Sequence, residues 1–204
     1  MLSPVIAHRL LKIADQSGVI IVEDDIFADF EHTPAPRLAA FDGLNRVIHI
    51  GSFSKSLSAS VRCGFIAAPR DWIEGLTDLK IATSFGSGRF SAELVLALLK
   101  DGSYRKHMDT VRARLSRAMG ETITRLKAIG ITPWIEQQAG MFLWCSLPKG
   151  IDAADIARSA LTADVVLAPG NAFSLSQTAN GFLRFNVAQS EDERIFKVLK
   201  VALN

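Results

Sequence analysis

Apolar residues recur at three- and four-residue steps through Ile6, Leu10, Ile13 and Ala14. Ser3-Pro4 before them supplies a capping hydroxyl and a first-turn proline, so the pattern predicts a helix ending at Gly18. Val19-Ile20-Ile21-Val22 then predicts a strand apolar on both faces, hence central, covered and parallel. It runs into Glu23-Asp24-Asp25, three acids that are costly at a buried strand end unless something positive meets them. A solvated loop or a helix cap is the plainer reading of the same acids. Residues 33 to 45, with Pro34, Pro36 and Gly43, read as a connection. Arg46 to Ile50 reads as a buried strand that gives way to a loop at Gly51-Ser52, and Cys63 to Ala68 as a further strand closed by Pro69. A helix follows over 71–83, then a break at Ser84-Phe85-Gly86-Ser87-Gly88. The next helix, 90–100, is apolar nearly all round, which predicts burial or a subunit interface. Arg89 beside the glycines could meet a ligand or a partner, or simply solvent.

Asp101-Gly102 is the expected domain boundary. Beyond it Tyr104, Met108, Val111, Leu115, Met119, Ile123 and Leu126 mark one long amphipathic helix ending at Gly130, with Arg105, Lys106, Arg112, Arg114 and Arg117 as its solvated face. Strands are expected over 132–136, 141–147, 165–168 and 182–187. A helix begins at Asp152, and the last helix is expected behind a capping box at Ser190-Glu191-Asp192-Glu193. The pattern is α/β, divided into residues 1–102 and 103–204.

Composition narrows the classes. A chain of 204 residues, 49% hydrophobic with a net charge of +2, describes a globular protein with ample core rather than a disordered one. The charge is too small and dispersed for nucleic-acid binding through this segment. No apolar run approaches the roughly 20 residues that span a membrane. No signal-peptide pattern opens the chain, and Cys63 and Cys145 read as buried free thiols. These features lead to the expectation of a cytoplasmic protein.

The candidate chemistry sits in Gly51-Ser52-Phe53-Ser54-Lys55-Ser56-Leu57, running on to Arg62. Lys55 follows a strand's carboxyl end, where open α/β sheets place ligands. A partly desolvated amine there would be a nucleophile able to form a Schiff base with an aldehyde. Ser52, Ser54 and Arg62 offer hydroxyls and a positive fork suited to phosphate. An aldehyde that carries a phosphate is pyridoxal phosphate; a solvent-facing loop lysine is the bland alternative. Arg184 stands among Phe182, Leu183, Phe185 and Val187, where an unpaired guanidinium is expensive. Asp192 or a substrate carboxylate are equal candidates for its partner. Gly170, in Pro169-Gly170-Asn171-Ala172-Phe173, permits close backbone approach.

Asp24 with an aromatic three residues on, Ser52-x-x-Lys55 with Arg62, Gly140-Met141-Phe142-Leu143-Trp144, Pro169-Gly170-x-x-Phe173 and Leu183-Arg184-Phe185-Asn186 together resemble class I/II aminotransferases of fold type I. The variants Glu23-Asp24-Asp25-Ile26-Phe27 and Ser52-Phe53-Ser54-Lys55 look most like the aminotransferase-like domain of MocR-type regulators, a GntR subfamily. The resemblance implies that residues 1–102 are the C-terminal part of a large pyridoxal-phosphate-binding domain, a mostly parallel sheet with helices. Residues 103–204 would be a linking helix and a small α/β domain. It implies that Lys55 carries the cofactor and moves protons at the substrate α-carbon, that Asp24 faces the pyridine nitrogen, and that Ser52, Ser54 and Arg62 hold the phosphate. Arg184 would grip the α-carboxylate of an amino acid or keto acid, and the chain would form homodimers. Phe27 stands where many relatives have a tyrosine that bonds the cofactor's 3-hydroxyl.

A phosphate-binding glycine loop, a ring-stacking aromatic and an Asn-Pro-x-Gly segment are expected upstream in such relatives, and a winged helix further upstream in MocR-type ones. The resemblance therefore implies the C-terminal portion of a longer protein, with little transamination by residues 1–204 alone. An aminotransferase, a cofactor-dependent sensor domain of a transcription regulator, and a remnant that binds cofactor poorly all remain open at the level of sequence.

Overall fold

The Ser3 hydroxyl accepts a hydrogen bond from the Ile6 amide and opens α1 (Pro4–Ser17), which Gly18 closes in the left-handed conformation at φ 64°. The computed structural model describes residues 3–203 apart from Glu136 and Gln138. The chain divides into two compact units, Met1–Asp109 and Thr110–Asn204. The division falls inside a helix, beyond the Asp101-Gly102 turn.

In the first unit, α1 turns Ala7 and Ala14 inward and leaves Ile6, Leu10 and Ile13 exposed, so the core stripe is displaced from the expected face. Ala7 packs with Leu38, Ala39 and Val47, flanked by Leu11, Ile21 and Leu44. The strand β1 (Ile21–Asp24) starts two residues later than expected, because the Val19 amide still bonds to Ala14 in the helix end. Within the expected connection lies a short helix, α2 (Leu38–Asp42), whose first amides, Leu38 and Ala39, donate to the Glu23 carboxylate at 2.8 and 3.1 Å.

The sheet order is β1, then β2 (Val47–Ser52), then β3 (Gly64–Ala67). β1 pairs with β2 in parallel, Asp24 opposite Ile50, while β2 and β3 are antiparallel. Among the described residues β1 is therefore an edge strand, not a central one, and Val22 on its outer face is 60% exposed. Two helices follow, α3 (Arg70–Ser84) and α4 (Arg89–Lys100). Against the expected burial, only Val95 of α4 is buried and Phe90 is 80% exposed, since no described element covers the helix all round.

Helix α5 (Ser103–Ala128) buries Met108, Leu115, Ala118, Met119, Thr122 and Leu126 at helical spacing and exposes Arg105, Arg114 and Arg117, as its pattern requires.

In the second unit the four-stranded sheet runs β4 (Thr132–Pro133), β5 (Phe142–Ser146), β7 (Phe182–Asn186), β6 (Ala168–Pro169), with every neighbour antiparallel. The first strand is shorter than expected, and Glu136 lies outside the described residues. The 165–168 strand is also short, with Val166 largely exposed. One face of this sheet carries Leu143, Cys145, Leu183 and Phe185, all buried. The unit also holds α6 (Ala153–Leu161), capped by Asp152, and α7 (Glu193–Ala202), which pack on each other. The cap of α7 is Asp192, which accepts from the Arg194 amide, and not Ser190. The Ser190 hydroxyl instead donates to the Asn186 carbonyl at 2.9 Å.

Both thiols are free; Cys63 is half-buried and Cys145 fully buried. Burial pushes the Cys145 thiol from an ordinary 9.0 up to about 12. A folded value above the unfolded one makes its stabilising contribution complete below about pH 9 and lost as pH rises through about 12. In a thiol-disulfide titration of the native protein at neutral pH, Cys63 should react promptly and Cys145 only after denaturation. Equal rates would contradict this packing.

Candidate functional site

Parallel pairing of β1 with β2 places their carboxyl ends at one edge of the sheet, so Asp24 and the turn carrying Lys55 arise side by side in topology. The three acids separate by role. Glu23 caps α2, as above. Asp25 pairs with the Arg37 guanidinium, which also bonds Glu31 at 3.0 Å. Burial opposes the charge on Arg37, but Glu31 and Asp25 together outweigh it and hold its pKa above the usual value. His49 lies between Glu23 and Asp25 at 3.9 and 3.6 Å and stacks on Phe65. The positive partner expected for these acids is thus Arg37, and Asp24 is left exposed with its carboxylate bonded to the Ile26 amide at 3.2 Å.

Past β2 the chain turns at once. The Phe53 amide donates to the Cys63 carbonyl at 3.0 Å, the Ser54 amide to the Ser52 hydroxyl at 3.1 Å, and the Leu57 amide to the Phe53 carbonyl at 2.9 Å. Ser52 therefore spends its hydroxyl on the loop itself, also donating to Cys63 at 3.4 Å. Gly51 lets the Phe65 ring lie directly over the backbone, and a Cβ there would make the ring shift.

Lys55 is exposed, not partly desolvated as expected; the turn sends Ser56 inward in its place, and Ser56 is 4% exposed. Arg62 ends a short 3-10 helix (Ala59–Val61) at φ 47°, ψ 39°. A left-handed residue with a Cβ costs roughly 1–2 kcal/mol, so the position is strained. Among the described residues neither Lys55 nor Arg62 has a hydrogen-bond or ion-pair partner. Phe27 precedes the 3-10 helix Ala28–Phe30, its ring 6.2 Å from Phe30.

In the second unit, strand alternation puts Arg184 on the half-open face of the sheet and not in the core with Leu183 and Phe185. Its guanidinium lies between two rings, 4.0 Å from the centroid of Phe173 and 4.6 Å from that of Phe142. Asp192 is not its partner: that carboxylate bonds Arg194, at 2.8 Å to Nε. Arg184 lines a cleft of about 260 Å³ with Phe142, Leu167, Ala168 and Asn186. The close approach that Gly170 permits is to this chain's own Ala179 carbonyl and Phe182. Arg89 makes a surface pair with Glu93 at 2.6 Å.

Sequence reasoning missed Tyr104 and His107, which bond Ser56, and Asp29, which bonds Tyr104. The chain's single tyrosine in a helix's first turn was a usable signal, since a half-buried phenol seeks a polar partner.

The family model "Aminotransferase class I and II" matches residues 7–201. The aromatic-amino-acid aminotransferase 1 of Thermococcus litoralis is 30% identical over 94% of this chain and 47% of its own. The HTH-type transcriptional regulator NorG of Staphylococcus aureus is 30% identical over 92% of this chain and 43% of its own. The α-aminoadipate aminotransferase LysN of Thermus thermophilus, solved with N-(5'-phosphopyridoxyl)-L-leucine, superposes with a TM-score of 0.85 at 29% identity, over 99% of this chain and 55% of LysN. The chain spans about half the length of the relatives it matches, and it belongs to the class I and II aminotransferase family.

Proposed function

We propose that this chain binds pyridoxal 5'-phosphate through Lys55 and acts with it on an amino acid and the corresponding keto acid. The observation that carries the reading is the donor set at one sheet edge. An amine and a guanidinium without partners among the described residues, with the Ser54 hydroxyl next to the amine in sequence, follow one strand end whose parallel neighbour ends in a carboxylate engaged by one backbone amide. Amine, cation and hydroxyl fit an aldehyde that carries a phosphate; the carboxylate fits a basic ring nitrogen.

In this reading Arg62 and Ser54 hold the phosphate, and the Ser52 hydroxyl shapes the loop that presents them. Asp24 keeps a proton on the pyridine nitrogen, and Phe27 lies near without offering a hydroxyl. When bound, the cofactor supplies an electron sink for the charge left at the substrate α-carbon. Lys55 Nζ takes the proton from that carbon and returns one. Arg184, its fork pressed between Phe142 and Phe173, binds the substrate carboxylate in two-point fashion. Substrate and cofactor would be met in a homodimer in the cytoplasm.

A second reading has a specific observation behind it: identity to the regulator NorG equals identity to the aromatic aminotransferase. The same site would then bind an amine to report it rather than to convert it. Both uses need Lys55 and Arg184.

Borohydride reduction of the protein loaded with pyridoxal phosphate, followed by peptide mapping, should place the label on Lys55; a label on Lys80 or Lys100 would overturn the reading. Arg184→Lys keeps the charge and loses the fork, and should weaken amino-acid binding on the order of tenfold to a hundredfold with cofactor binding nearly intact. Loss of folding without a selective effect on amino acids would make Arg184 a structural residue.

A further inference from the structure

Ser56, the residue after Lys55, is buried with its carbonyl and its hydroxyl held by the start of α5. Its carbonyl lies 2.8 Å from His107 Nε2. A carbonyl only accepts, so Nε2 carries a proton and donates. Its hydroxyl lies 2.8 Å from the Tyr104 hydroxyl, which also bonds the Asp29 carboxylate. The phenol has a single proton and an ionised carboxylate has none to give. Tyr104 is the donor to both the Asp29 carboxylate and the Ser56 hydroxyl, which share its one proton. The Tyr104 ring meets Phe53 edge-on at 5.6 Å, two residues before Lys55 on the other side. The Lys55 backbone is thus pinned before and behind while its side chain stays exposed.

We propose that Tyr104 and His107 are positioning residues that act through Ser56 to aim the Lys55 amine, with Asp29 orienting the Tyr104 hydroxyl. Nothing in the exposed amine itself fixes where it points. The bonds of Phe53 to Cys63, Ser54 to Ser52 and Leu57 to Phe53 hold the entry and span of the turn, and the start of α5 adds the two bonds that hold Ser56 itself. A helix is a stiffer support than a loop, and a misplacement of the order of an ångström at a reacting group is costly.

The inference rests on Lys55 being the cofactor lysine, and the test separates the two claims. The full chain and its Tyr104→Phe, His107→Leu and His107→Gln variants are treated with pyridoxal 5'-phosphate and borohydride, and labelling is timed at each lysine. Amide exchange over 54–57 and thermal melting are measured in parallel. Tyr104→Phe keeps the ring against Phe53 and His107→Gln keeps an N–H donor. Tyr104→Phe and His107→Leu should slow labelling of Lys55 about tenfold and speed exchange at 54–57, with Lys80, Lys100 and melting unchanged and His107→Gln close to the parent. Unchanged labelling of Lys55 in both variants would overturn the proposal and leave the cofactor assignment standing. A uniform rise in exchange with a lower melting temperature would also overturn it, in favour of a purely structural role. Failure of the parent to label Lys55 would instead overturn the cofactor assignment and with it the purpose of the clamp, while exchange at 54–57 would still report whether the turn is held.

Discussion

The parallel register of β1 against β2 is the constraint on which the candidate site depends. With Asp24 opposite Ile50, two carboxyl ends emerge together, one carrying an exposed acid and the other leading into the lysine turn. An antiparallel pairing would put them at opposite edges of the sheet. The register is held by the core of Ala7, Leu38, Ala39 and Val47 and by Glu23, which ties the end of β1 to the start of α2. Fixing an acid as a helix cap satisfies its charge without a counterion, which frees the neighbouring acids for other tasks.

Much of this was legible in the chain. Ser3-Pro4, Gly18 and the α5 periodicity are local signals, and the residues carrying them do what local chemistry requires; β2, by contrast, runs through Gly51 and Ser52, two residues past its expected end, because both pair with β3. The candidate residues Lys55, Asp24 and Arg184 stood out because each is a charge in or directly after apolar sequence. What could not be read was partnership. Asp25 with Arg37, Ser56 with Tyr104 and Arg184 with two phenylalanine rings all join residues that the pattern treats separately. Strand alternation decides whether a charge beside apolar neighbours is buried, which is why Arg184 reads as a core residue in sequence and lies on the open face in the fold. Expected burial of α4 and β1 failed for the opposite reason: apolar pattern records a need for cover, and no described element of the chain meets it.

The roles proposed for Lys55 and Arg184 suit a converting enzyme and a reporting domain alike, because either must capture an amine and a carboxylate. What would separate them physically is turnover at the α-carbon, which demands that Lys55 be aimed as well as present. The support of the lysine turn by α5 matters more for the first use than for the second.

The most direct test is a crystal structure of the protein with pyridoxal 5'-phosphate bound. The account predicts continuous density from Lys55 Nζ to the cofactor, the pyridine nitrogen within hydrogen-bond reach of Asp24, and the phosphate against Arg62 and Ser54. A cofactor seated away from the shared end of β1 and β2, or one bound there without contact to Lys55, would contradict it.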